Sequence, residues 1–329
     1  MRVDHVGLLR CPRTGAPLAL HDAEMADGRV RRGTLAAASG SRYPIVDFIP
    51  RFVADENYTA SFGFQWQKHA RTQQEPLAAA SRQRLFGVSG WPANMPGELV
   101  LEAGSGAGRF TAPLLSSGAT VVSFDASRAV EVNHAANGGH DNLLLVQADI
   151  AQMPFAPASF DRVVCLGVLQ HTPDPRASFL ALAGMLKPGG ALATDIYLRT
   201  VMRYWLNTRY WVRPLTRRMR PQRLYPLVER YVRAMWPLAR LLRRLPDRLG
   251  EAIVWRLLVA DYARQFPQLA DEQLKELAIL DTFDMLSPAY DRPATPAQYH
   301  AWHRQAGLTN IAVGPGPNGL VGRAQRPAG

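Results

Sequence analysis

The chain has 329 residues, a formal net charge of +11, 47% hydrophobic and 20% charged residues. That length accommodates one α/β core with insertions or two domains, and no apolar run approaches the ~18 to 20 residues that a membrane span requires. Cys11 and Cys165 are too few for a disulfide framework or a cysteine-rich zinc site, and with no apolar leader at the start a cytoplasmic location is the expectation. The charge is local: residues 199–250 hold fourteen arginines against Glu229 and Asp247, so the rest of the chain is close to neutral.

Residues 1–53 alternate short apolar runs with Gly, Pro and Ser turns, which predicts a small β-rich module. Residues 54–97 form an aromatic linker and a helix, where Tyr58, Phe62, Phe64 and Trp66 either pack or line a pocket. From Glu98 the pattern becomes α/β. A strand over 99–103 runs into Gly104, Gly106 and Gly108 and a helix over 107–117; a strand from Thr120 to Phe124 ends at Asp125, and Ser127 caps the next helix. Strands follow at Asn142–Gln147, leading to Asp149, at Phe160–Leu166 and at Ala191–Tyr197. A helix from about Asp174 to Leu186 and a Lys187–Gly190 turn lie between the last two. This alternation predicts a parallel sheet with helices on both faces and ligands at the carboxyl ends of its strands. Asp125 could grip the ribose of either a nicotinamide or an adenosyl cofactor. The glycine spacing G-x-G-x-G, with Arg109 where a dinucleotide loop needs Gly or Ala, argues against the former.

Residues 198–290 break the alternation and predict a helical cap. Leu227, Tyr231, Met235, Leu238, Leu242 and Leu245 recur at helical spacing, with Arg230, Arg233, Arg240 and Arg244 on another face and Pro226 in the first turn. The apolar stripe is expected to pack on the core or on a second subunit, and the arginines could meet anionic lipid or a phosphate-bearing substrate. Asp281, Asp284, Tyr290 and Asp291 either face a pocket or pair with this basic segment. Thr295-Pro296 then opens a helix through Trp302, Gly307 stops it, and Asn310–Val313 is a strand.

The segments EAGSGAGRF (102–110), VVSFDAS (121–127), QADIAQMPF (147–155), SFDRVVCLGVLQHTPDP (159–175) and LKPGGALATDIY (186–197) together resemble a class I S-adenosylmethionine-dependent methyltransferase over residues 98–197. The resemblance implies a Rossmann-like methyltransferase core built from 98–197 and 291–329. It implies that Glu102, Gly104, Gly106 and Gly108 hold the methionine portion, Asp125 and Ala126 the ribose, Asp149 and Ile150 the adenine, with Leu166 and Gly167 beneath the cofactor. Trp66, Gln170 and Tyr197 are candidates for the acceptor pocket. His171 is a candidate general base, a hydrogen bonder that orients the acceptor or loop, or a structural residue.

Leu9-Arg10-Cys11-Pro12 and Tyr43–Asp47 resemble the zinc-ribbon-like module of methyltransferase activators. Thr14 stands where the second cysteine would be, so no metal is expected. The expected reaction is in-line methyl transfer to a small-molecule acceptor such as a sugar, glycan precursor or natural-product scaffold, leaving S-adenosylhomocysteine. A methyltransferase of tRNA or protein, and a non-catalytic S-adenosylmethionine-binding partner, are the alternatives. A homodimer is a further possibility, and nucleic acid ranks behind the small molecule as a partner.

Overall fold

An Asp27-Gly28 pair with positive φ at both residues makes the first hairpin turn, because that dipeptide tolerates the left-handed conformations a tight turn demands. It joins β1 (Leu18–Ala26) to β2 (Arg29–Ala37). With β3 (Arg42–Val46) and β4 (Ile49–Pro50) they form an antiparallel sheet in the order β1-β2-β3-β4. The computed structural model describes residues 1–54, 57–69, 77–200, 207–246 and 249–329. In it the small sheet does not rest on a core of its own. Leu18, Val30, Leu35 and Ile45 join Leu101, Val122, Leu144 and Val146 in one apolar cluster.

Two helices follow, α1 (Ala60–Lys68) and α2 (Ala78–Ser89). The strands after them are mostly apolar and largely buried on both faces, as helices on each side of a parallel sheet require: β5 (Leu99–Ala103), β6 (Thr120–Asp125), β7 (Leu143–Gln147), β8 (Phe160–Cys165) and β9 (Leu186–Ile196). Between them lie α3 (Thr111–Leu115), α4 (Ala129–Asn137) and α5 (Pro175–Gly184). Asp174 caps α5 by accepting from the Arg176 and Ala177 N–H groups, each at 3.0 Å. Two boundaries differ from the sequence pattern. The helix expected from 107 starts only at Thr111, since Gly106 and Gly108 take positive φ and cannot continue a right-handed helix. The expected turn at Lys187–Gly190 is instead an irregularity inside β9, where the register with β8 shifts.

The N-terminal sheet covers the edge strand β7. Phe52 N–H donates to the Gln147 carbonyl at 2.8 Å, and the Arg51 guanidinium donates to Gln147 Oε1 at 2.8 Å and Glu131 Oε1 at 3.2 Å. A parallel edge left open would be a template for foreign strands, and here its last residue is paired.

Tyr58–Ala78 and Arg199–Ala289 form a second compact unit, apart from the unit made of Met1–Asn57, Ala79–Leu198 and Tyr290–Gly329. Besides α1 it contains α6 (Arg209–Thr216), α7 (Pro221–Leu242), α8 (Leu249–Arg256) and α9 (Asp271–Leu286). Phe64 packs with Tyr225 and Phe283, His69 Nε2 bonds the Tyr225 hydroxyl at 2.8 Å, and Arg243 pairs with Asp261 at 2.6 Å. The long helix begins at Pro221, so Pro226 lies inside it rather than in its first turn. Its buried line is Leu224, Tyr225, Val228, Val232, Trp236 and Ala239; of the expected stripe, Leu227, Tyr231 and Leu238 are exposed and Met235, Leu242 and Leu245 are half-buried. The sequence carries two apolar lines on this helix, and periodicity alone does not choose between them.

In the first unit the C-terminal part adds α10 (Pro296–Gln305), β10 (Thr309–Gly316) and β11 (Gly319–Gln325). Thr295 and Gln298 form a reciprocal capping box that starts α10. The seven-stranded sheet runs β10-β11-β9-β8-β5-β6-β7, with β5 to β9 parallel and β11 antiparallel to β9. Strand order reverses at β5, so the crevice beyond the carboxyl ends of β5 and β8 is where this architecture binds ligands.

Candidate active site

The loop after β5 is held from two sides. Gly104 and Ser105 N–H donate to the Phe124 carbonyl at 2.8 and 3.0 Å, and Gly106 N–H donates to Asp125 Oδ2 at 2.8 Å. Gly104 has a φ of +74°, and a Cβ there would run into the Val168 side chain, so this position needs glycine on both counts. Gly108 sits equally close to Asn133 and Asn137. Arg109 turns away, stacks over Phe110 and donates to Ser81 Oγ at 3.0 Å.

Glu102, one residue before the end of β5, is 3% exposed. Its Oε2 accepts from the Thr111 hydroxyl at 2.6 Å and the Ser123 hydroxyl at 2.7 Å, while Oε1 is buried with no partner among the described residues. Burial raises its pKa from 4.5 to about 7, against the opposing pull of the two hydroxyls. Because the folded pKa is the higher one, stability is full below about pH 4.5 and falls as pH rises through 7. At about 1.4 kcal/mol per pH unit, the span from 4.5 to about 7 makes the charged form cost about 3 kcal/mol. Glu102→Gln, measured by urea unfolding from pH 5 to 8, should therefore be more stable than the parent by up to about 3 kcal/mol at pH 8 and by much less at pH 5. A gap that does not change with pH would contradict this.

Asp125 ends β6 and pins both neighbouring turns. Besides Gly106, it accepts from Ser127 N–H at 2.8 Å and from Ser127 Oγ–H at 2.6 Å. Burial raises its pKa, and these bonds oppose the rise. Ser127 also accepts the Ala129 N–H at 3.1 Å at the start of α4. The Ala126 carbonyl accepts from Asn57 Nδ2 at 2.9 Å and Gln147 Nε2 at 3.3 Å. Beyond β7, Asp149 Oδ1 caps a short turn by accepting from Ala151 N–H at 2.8 Å, and Ile150 is buried beside it.

At the end of β8, Leu166 is buried and Gly167 takes a φ of +79°. Gln170 is fully buried, and among the described residues neither its Oε1 nor its Nε2 has a partner. His171 Nδ1 lies 3.0 Å from the Tyr290 carbonyl; a carbonyl only accepts, so the neutral ring carries its proton on Nδ1 and its lone pair on Nε2. The ring stands edge-on to Tyr197, with centroids 5.5 Å apart. Gln170, His171 and Tyr197 are thus brought together in the first unit, with Tyr290 holding His171. Trp66 lies on α1, in the second unit.

One pair was absent from the sequence reading. Asp195, fully buried on β9, accepts from Gly167 N–H at 2.5 Å, from Arg84 Nη2 at 3.0 Å and from Asn318 Nδ2 at 3.4 Å. Burial pushes its pKa up and Arg84 pulls it back down. Asp195 therefore does for the Gly167 turn what Asp125 does for the glycine loop: a carboxylate on the neighbouring strand holds a glycine N–H. An acidic residue inside the apolar run Ala191–Tyr197 was the available signal.

Residues 101–194 match the family described as methyltransferase domain. The sheet order and parallel core are those of the Rossmann-like methyltransferase fold. A ubiquinone biosynthesis O-methyltransferase of Xylella fastidiosa is 33% identical over 144 residues, which are 43% of this chain and 57% of that protein. One from Xanthomonas campestris pv. campestris is 36% identical over 130 residues, 39% of this chain and 54% of that protein. The chain thus spans a little over half the length of these curated relatives. Among solved structures, human N-acetylserotonin methyltransferase in complex with S-adenosylmethionine is similar at a TM-score of 0.43 and 15% identity, over 82% of this chain and 57% of that one. Glu102, Ser105 and Gln170, all with buried polar atoms that lack partners among the described residues, lie at the carboxyl ends of β5 and β8. Buried polar groups in native proteins are normally bonded, so Glu102 and Ser105 fit a polar ligand such as the amino-acid portion of S-adenosylmethionine, and Gln170 fits a polar acceptor.

Proposed function

We propose that the chain transfers a methyl group from S-adenosylmethionine to a hydroxyl of a small organic acceptor. The observation that carries this reading is the set of orphaned polar atoms of Glu102, Ser105 and Gln170 beside the glycine loop. The curated relatives are named as O-methyltransferases, which favours oxygen as the accepting atom. When bound, the cofactor supplies a methyl carbon on a sulfonium whose leaving group departs neutral. Glu102 and the loop of Gly104, Gly106 and Gly108 would hold its methionine portion, and Asp125 with Ala126 its ribose hydroxyls. Asp149 would accept from the adenine amine with Ile150 against the ring, and Leu166 and Gly167 would lie beneath. Asp195, itself held by Arg84, accepts from Gly167 N–H and so fixes the backbone of this floor.

On the acceptor side, Gln170 offers both a donor and an acceptor, and in neutral His171, whose Nδ1–H donates to the Tyr290 carbonyl, the basic nitrogen is Nε2. His171 acts as the general base that takes the acceptor's proton. The four-stranded N-terminal sheet is read as a degenerate relative of the activator-type ribbon, here steadying β7 through Arg51 and Phe52 rather than binding zinc.

The test is release of S-adenosylhomocysteine against a panel of phenolic and sugar hydroxyl acceptors, repeated with His171→Gln. A base contributes about 10²- to 10⁴-fold, so the variant should lose about 100-fold or more in kcat while binding the cofactor as the parent does. Turnover within a few fold of the parent removes the base role. Cofactor binding with no transfer to any acceptor would favour the non-catalytic alternative.

A further inference from the structure

Only one of the two apolar faces of α7 is covered. The Leu224–Ala239 line is buried in the second unit, whereas Leu227, Tyr231, Leu238 and Leu241 are 52%, 40%, 39% and 58% exposed. At about 100° per residue these four fall within about 80° of the helix circumference and run along about 21 Å of its length. Arg230, Arg233 and Arg240 are exposed on the neighbouring sector. On α6, Arg213 turns inward to donate to the Met285 and Pro288 carbonyls, each at 2.9 Å, and Thr216 donates to the Leu286 carbonyl. That orientation leaves Trp211 and Leu215, one turn apart, 65% and 71% exposed. Leu249 on α8 is 56% exposed. Among the described residues, every other exposed large apolar side chain (Val3, Met25 and Val46) belongs to the N-terminal part. Isolated exposed leucines are ordinary; seven large apolar side chains within about forty residues are not.

The same stretch carries the basic charge of the protein. Arg217, Arg218, Arg220, Arg223, Arg230, Arg233, Arg240 and Arg244 are exposed, while Arg203, Asp247 and Arg248 lie outside the described residues. Few acids answer them: Glu229 pairs with Arg233, and Asp271 lies 3.9 Å from Arg240. A second copy docking on this face would bring arginines against arginines. A nucleic acid would use the arginines and leave the leucines and Trp211 in water. A bilayer with anionic headgroups satisfies both at once, since acyl chains take the apolar line and phosphates the guanidinium groups. No helix among the described residues is long and apolar enough to cross a membrane, so the contact is interfacial. We infer that α6 and α7 dock the protein on an anionic membrane surface, with α7 lying in the headgroup layer and its Leu227–Leu241 face toward the acyl chains. This holds whatever the acceptor of the methyl group is.

Flotation of the full chain with phosphatidylglycerol–phosphatidylcholine vesicles and with phosphatidylcholine vesicles tests it. Binding should be at least about tenfold tighter to the anionic vesicles and should weaken with salt. Leu227→Glu/Leu238→Glu/Leu241→Glu should lower it by about tenfold or more with unchanged thermal melting. Should that variant fail to fold, Trp211→Ala is read the same way and should cost several-fold. No flotation with anionic vesicles at low salt, or equal flotation of parent and variants, overturns the inference. So does a dimer in light scattering that the triple substitution dissociates while flotation is unchanged.

Discussion

Asp125→Ala will lower affinity for S-adenosylhomocysteine by about 100-fold or more while leaving the chain folded. The carboxylate accepts from Gly106 N–H, Ser127 N–H and the Ser127 hydroxyl, so its removal first loosens the glycine loop and the start of α4. It then removes the acceptor proposed for the ribose hydroxyls. Hydrogen bonds to a charged group contribute about 1.5–3 kcal/mol each, and about 3 kcal/mol is already close to a hundredfold in Kd. Asp125→Asn separates the two effects. Its amide oxygen can still receive Ser127, but an NH2 group facing Gly106 N–H pushes the loop away, so affinity should fall nearly as far. Calorimetric titration of each variant gives the answer, and a Kd within a few fold of the parent for Asp125→Ala would remove Asp125 from the site.

Arg84→Met should destabilise the protein by about 3–5 kcal/mol at neutral pH, the cost of leaving a buried carboxylate without its partner. Asp195 is fully buried, and its remaining contacts, Gly167 N–H and Asn318, carry no charge. The loss should shrink as pH falls. Without Arg84 the folded-state pKa of Asp195 rises further above its unfolded value, and a raised acid penalises the fold only where it is ionised. Urea unfolding at neutral and acid pH checks the sign. Asp195→Asn in the Arg84→Met background should recover most of the stability at neutral pH, because the charge and its partner are then both gone. A variant as stable as the parent at neutral pH would show that the pair is not what holds the Gly167 turn.

Much of the core was legible because its signals are local. Consecutive apolar residues such as Leu143–Val146 have no polar face to offer water, and Gly104, Asp125 and Asp174 sit at strand and helix ends whose geometry selects those residue types. Contacts made across the sheet were not legible. Arg84 and Asp195 are 111 positions apart, and nothing in spacing announces that a helix before the glycine loop supplies the counter-charge for the last parallel strand. The Tyr290 carbonyl that orients His171 is 119 positions away and is a backbone group, which no side-chain pattern can reveal. The long helix is ambiguous for a different reason. Tyr225 and Trp236 bury large rings while Leu227 and Leu238 stay in solvent, so hydrophobicity marks two faces and only the neighbouring helices decide which is covered. The small N-terminal sheet looked self-contained because its turns are regular, yet its apolar side chains are shared with β5, β6 and β7.

Titration calorimetry of the full chain with S-adenosylhomocysteine tests the central reading most directly. One molecule should bind per chain, with a Kd on the order of micromolar, and Asp125→Ala should abolish most of the heat. A folded protein that gives no binding heat at about 1 mM ligand would contradict a cofactor site at the glycine loop.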